Sequence, residues 1–129
     1  MPHITLEYSA NLDRSMSMDA LCEAVLETVL ATGVFEVGAV RVRAIRCDDY
    51  AIADRDHKNA FLDGALRLGA GRDAETKKAV GQAIFETLRH FFKDRLAEDY
   101  FALSFEVREI DPDLSFKTNS MHRRLRSPT

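Results

Sequence analysis

Tryptophan is missing from all 129 residues, and cysteine occurs only as Cys22 and Cys47. Two cysteines so far apart make neither a Cys-x-x-Cys motif nor a disulfide framework. Both are read as small packing residues, because free cysteine behaves as a buried hydrophobe. His3, His57, His90 and His122 are scattered, with no His-x-x-x-His pair and no Cys/His cluster, so no metal site is indicated. A basic excess is also lacking: 18 Lys and Arg face 21 Asp and Glu, a net charge of -3. Nucleic acids and anionic membranes select positive surfaces, so neither is an expected partner. There is no apolar run of about twenty residues to span a bilayer and no basic leader with an apolar stretch behind it. The expected location is the cytoplasm.

What is present is 46% hydrophobic residues, enough for one packed domain covering 1–129. The chain opens Met1-Pro2 and then alternates, with Ile4, Leu6 and Tyr8 on one side and His3, Thr5 and Glu7 on the other, the pattern of a strand. A small second residue marks the initiator methionine for removal, so the mature chain is expected to begin at Pro2. Within a chain a prolyl nitrogen is an amide without basicity; at a terminus it is a secondary amine. An α-amino group titrates at roughly 7.7 to 8.0, and burial or nearby cations lower that value by disfavouring the charged form. Such an amine can serve as a general base near neutrality. The plainer reading is that Pro2 only stiffens the terminus.

Ser17 is a suitable N-cap for a helix to about Ala31, striped by Leu21, Val25 and Val29 and stopped by Gly33, while 11–18 reads as a polar turn. A second strand is expected over 39–46. A charged crossover follows from Asp48 to Lys58, then a third strand from Ala60 to Leu68. Gly69-Ala70-Gly71-Arg72 makes a tight turn, and Asp73 caps a long helix expected to reach Leu96 with Val80, Ile84, Leu88 and Phe91 buried. The fourth strand is placed from Tyr100 to Arg108. Strand, helix and strand at this spacing form a right-handed βαβ unit, and the match of 2–47 with 60–108 suggests duplication, with a tail from 109 to 129. The fold class is therefore α/β (α+β): two βαβ units making a four-stranded sheet with two helices on one face. The charged sheet face is either solvated or the lining of a channel shared between subunits, with pairs such as Glu7 and an arginine. The basic run His122 to Arg126 is expected to be solvated.

Arg41 begins the second strand, and Arg72 sits in a glycine turn ahead of a helix N-terminus, a setting that favours anions. Guanidinium groups grip carboxylates in a fork. A terminal base beside two such cations suggests a carboxylate substrate with an acidic proton.

The segments Pro2-His3 with Glu7-Tyr8-Ser9, Ala31-Thr32-Gly33-Val34-Phe35, Gly38 with Val40-Arg41-Val42-Arg43, Gly69-Ala70-Gly71-Arg72, Leu103-Ser104-Phe105-Glu106, and Phe116-Lys117 with Asn119 follow in order along almost the whole chain. In them the sequence resembles the 5-carboxymethyl-2-hydroxymuconate Δ-isomerases of the tautomerase superfamily. The resemblance implies a homotrimer with its sheets inside, a catalytic proline at Pro2, and substrate-binding, catalytic arginines at Arg41 and Arg72. It also implies cofactor-free proton transfer on a carboxylate-bearing dienol, in the meta-cleavage breakdown of homoprotocatechuate derived from 4-hydroxyphenylacetate. Such relatives usually carry a tryptophan ahead of the crossover, where this chain shows Tyr50, so its pocket is expected to differ in shape. Two rival expectations are a tautomerase for phenylpyruvate-like enols and a non-catalytic trimeric binding module.

Overall fold

The computed structural model describes residues 1–126. Strands β1 (His3–Ser9), β2 (Arg41–Cys47), β3 (Ala60–Gly69) and β4 (Phe101–Ile110) form one sheet in the order β2-β1-β3-β4. β1 pairs parallel with β2, and β3 pairs parallel with β4. The two halves join through the antiparallel β1–β3 pair. Each parallel pair needs a crossover, which helix α1 (Met18–Ala31) supplies in the first half and α2 (Ala74–Phe91) in the second. The expected pair of βαβ units is therefore the observed architecture.

Alternation decides which face the helices cover. Ile4, Leu6, Leu62, Leu66 and Leu68 are fully buried and meet Leu21, Val25, Val29, Val80, Ile84 and Leu88 from the helices in a single core. The helices touch each other through Thr28 and Thr87, whose hydroxyls lie 2.6 Å apart. Both expected caps form: the Ser17 hydroxyl accepts from the Ala20 amide, and the Asp73 carboxylate accepts from Thr76. Gly33 follows the end of α1 at φ 69, a conformation that costs glycine nothing.

The larger departures from the sequence expectation lie at the ends of elements and in one turn. Residues Ala10–Arg14 form a 3-10 turn that buries Leu12, where a polar turn was expected. A second such turn, Val37–Ala39, delays β2 to Arg41. α2 stops at Phe91 and a short helix α3 (Lys93–Leu96) follows, because Phe92 leaves helical geometry. Phe92, not Phe91, continues the ladder Val80-Ile84-Leu88 at four-residue steps, and it is fully buried against Phe101, ring centroids 5.0 Å apart. β4 runs past Arg108 to Ile110.

The tail also departs from the expected solvated run. Residues Met121–Leu125 form helix α4, which docks on the 37–39 turn, and Arg126 donates to the Glu36 carboxylate at 2.5 and 2.8 Å. On the uncovered sheet face, Arg108 pairs with Glu106 at 2.6 Å and Ser104 donates to Asp63 at 2.8 Å. Glu7 forms no ion pair among the described residues, so its expected arginine partner is not found within the chain.

Candidate active site

Pro2 is buried at the lip of β1, its carbonyl accepting from the Arg41 amide at 3.4 Å. Met1 precedes it here, so the Pro2 nitrogen is an amide and the free amine belongs to Met1. In-register pairing sets Arg41 of β2 beside His3 of β1, one residue from Pro2. The Arg41 guanidinium donates to the Ala39 carbonyl at 3.1 Å and reaches the Met1 sulfur at 3.2 Å. The 37–39 turn thus aims the side chain, because it presents the carbonyl that holds it.

Arg72 comes from the other half of the chain. Gly71 takes φ 113, a left-handed value that reverses the chain between β3 and α2. The Arg72 guanidinium then stacks on the Phe35 ring at 4.6 Å, a cation–π contact from a residue just past α1. The charges of both arginines reach the amine at the chain's start. The Met1 amino group is held below its ordinary value first by burial, then by Lys117, and then by Arg72 and Arg41. Like charges nearby disfavour the protonated amine, so the neutral form gains.

Lys117 and Asn119 carried no assigned role in the sequence reading, although they lie in segments that supported the resemblance. The Asn119 amide donates to the Gly38 carbonyl at 2.7 Å and lies 3.4 Å from the Met1 sulfur, while its carbonyl oxygen accepts from the Met121 amide at 3.0 Å. This fastens the tail beside the amino terminus. No periodicity marks an irregular tail, so only tertiary contact reveals the role.

His3 is also held below its usual range, by burial first and then by Arg43, Arg67 and Arg41. A neutral His3 suits its surroundings, since both terminal nitrogens of Arg43 lie 3.4 Å from His3 Nδ1. Tyr50, the residue near the missing tryptophan, packs edge-on against Phe61 and lines a separate 640 Å³ cavity with Arg14 and Asp56. Among the described residues no cluster of three His, Cys, Asp or Glu could hold a metal, and no helix is long and apolar enough to cross a membrane.

A basic corner around the start of a strand suits proton abstraction from an anionic substrate, because cations both bind it and keep the amine unprotonated. Comparison with known proteins identifies relatives along nearly the whole chain. The family model described as 5-carboxymethyl-2-hydroxymuconate isomerase matches residues 2–125. A 5-carboxymethyl-2-hydroxymuconate Delta-isomerase of Escherichia coli is 34% identical over 122 residues, covering 95% of this chain and 97% of its own. The crystal structure of a 5-carboxymethyl-2-hydroxymuconate isomerase from Deinococcus radiodurans R1 superposes with TM-score 0.91 at 37% identity, covering 98% of this chain and 95% of that one. The fold alone extends to a fused 4-OT solved as a symmetric trimer, with TM-score 0.60, 16% identity, and coverage of 88% and 91%. With its tautomerase-like sheet and helices and a family match spanning nearly every residue, the chain belongs to the 5-carboxymethyl-2-hydroxymuconate isomerase family.

Proposed function

We propose that this protein isomerises 5-carboxymethyl-2-hydroxymuconate to its 2-oxo-3-ene form, with Pro2 as the proton carrier once Met1 has been removed. The observation that carries this reading is that Arg41 touches the Met1 side chain at 3.2 Å, while Arg72, from the other half of the chain, adds to the positive field that lowers the proton affinity of the terminal amine. Removal of Met1 places a secondary amine next to the same cations and frees the space its side chain fills between Arg41 and Asn119.

Neutral Pro2 takes the proton of the 2-hydroxyl group. The O–H electron pair forms the C2=O bond, the double bonds shift along the chain, and the electrons that leave C4=C5 collect the proton from prolinium at C5. Nothing is gained or lost overall, so the step needs no cofactor. Arg41 and Arg72 bind carboxylates and stabilise the negative charge that develops on the C2 oxygen, a contribution that grows towards the transition state. The reading extends to a cytoplasmic enzyme in homoprotocatechuate breakdown. It also includes a homotrimer that seats the uncovered sheet face inside, as the trimeric form of a fold relative supports.

The test is an ultraviolet assay of dienol disappearance on protein whose intact mass shows loss of methionine. Demethionylated wild type is expected to turn over the tricarboxylate dienol far better than a phenylpyruvate-type enol, and protein retaining Met1 should be inactive. Arg72→Ala is expected to lower kcat by about 100-fold or more, the usual scale for losing a group that stabilises an oxyanion. Pro2→Ala keeps an amine and should retain part of the rate. A full-speed Arg72→Ala enzyme, or full activity with methionine in place, overturns the assignment.

A further inference from the structure

A 340 Å³ cavity opens beside the amino terminus, walled by Met1, His3, Arg67, Ser115, Phe116 and Lys117 with Ile110 and Leu114. Its charge sets it apart. The cavities around Tyr100, over the open sheet, around Tyr50 and beneath α4 each include a carboxylate, from Asp94, Glu7, Asp48 and Glu36 respectively. This one has two cations and no acid. Neither Arg67 nor Lys117 forms an ion pair among the described residues, whereas Lys77, Arg46, Arg89, Arg108 and Arg126 all do. Cations that face a concave surface without a counter-charge raise the local concentration of anions.

The two come from distant segments held by independent means. Arg67 lies on β3, in register with His3 on one side and Arg108 on the other. Lys117 follows β4 in the tail, which the Asn119 bond to Gly38 fastens across the site. Leu114 and Phe116, which precede Lys117 in the chain and line the same cavity, are 75% and 91% exposed and provide an apolar rim. The fold does not depend on these cations, since both are exposed, Arg67 makes no side-chain hydrogen bond among the described residues, and Lys117 faces only the terminal amine. The lowered proton affinity of His3, to which Arg67 contributes, records the same positive field.

We infer that this cavity is a carboxylate subsite, in which Arg67 and Lys117 hold a carboxylate of a di- or tricarboxylate ligand beside the amino terminus. The inference rests on the substrate class proposed above and extends it. Arg41 and Arg72 take the end of the ligand that becomes the 2-oxo acid; Arg67 and Lys117 take the end bearing the carboxymethyl group and its neighbouring carboxylate. Selectivity for a ligand charged at both ends follows, because a monocarboxylate enol engages only the first pair.

The experiment is calorimetric titration of the chain as purified with propane-1,2,3-tricarboxylate and, separately, with pyruvate. Lys117→Met is expected to weaken tricarboxylate binding by about ten-fold or more, the scale of a lost charge-assisted contact, with pyruvate binding weakened distinctly less, since that ligand makes its direct contacts with the other pair. Lys117→Arg should restore most of the affinity, and Arg67→Gln should repeat the selective loss. Unchanged melting temperatures establish that the variants fold. Equal losses for both ligands, unaltered tricarboxylate affinity in Lys117→Met, or no tricarboxylate binding by wild type overturn the subsite. A protein that shows the selective loss but does not isomerise the dienol retains the subsite and refutes the isomerase proposal, so the two stand or fall separately.

Discussion

His3 shows how a single residue reports its electrostatic surroundings. Its proton affinity in the fold lies below the ordinary histidine value because burial and three arginines disfavour imidazolium. The folded chain therefore holds fewer protons on His3 than the unfolded chain does once pH falls near the ordinary pKa of about 6.5. This contribution to stability is fully present above pH 7 and is lost as pH drops through about 6.5 towards the folded value. Melting temperatures at pH 7.5 and 5.5 are expected to fall more for wild type than for His3→Gln; equal falls contradict the account. Asn119 offers a second residue-scale test. Asn119→Ala removes the donor that satisfies the Gly38 carbonyl, and chemical denaturation is expected to show a loss of about 1 kcal/mol. Of these residues the sequence indicated Pro2, Arg41 and Arg72, since their chemistry can be recognised in isolation. Lys117, Arg67 and Asn119 acquire meaning only from what stands next to them.

At the scale of elements, alternation and four-residue spacing located every strand and both long helices, and errors gathered at the ends. The stop of α2 is instructive. Phe91 and Phe92 are both candidates for the buried stripe by composition, and the sheet chooses Phe92 because it meets Phe101. β2 starts late because 37–39 is needed as a turn that offers carbonyls to Arg41 and Asn119. Between strands, Gly64 is required by packing. A Cβ there would come within 2.8 Å of Phe105 and 2.9 Å of Leu6, closer than such atoms pack. Gly64→Ala is expected to destabilise the protein by about 1–3 kcal/mol, the usual cost of overpacking a core, as read from the denaturation midpoint. An unchanged midpoint would show that β1 and β4 yield more easily than this packing implies.

For the whole molecule, the sheet leaves one face uncovered by helices, and there Arg43, Arg67 and Arg108 stand with Glu7, Asp63 and Glu106. A solvated sheet face carries charge in this way, and in the proposed trimer the same opposite charges would compensate one another between copies. Sedimentation is expected to give three times the chain mass at micromolar concentration; a monomer contradicts the proposed assembly. The amino-acid sequence by itself determined the two βαβ halves and their apolar faces, because periodicity is a local property that each segment carries alone. It also singled out the proline and the two arginines as chemically suited to one task. Only the tertiary structure decided that the halves join antiparallel through β1 and β3, that the tail returns to the amino terminus, and that three cations from separate segments, Arg41, Arg72 and Lys117, bear on one amine. Proximity between residues far apart in the chain depends on how the core closes, and no local pattern encodes that distance.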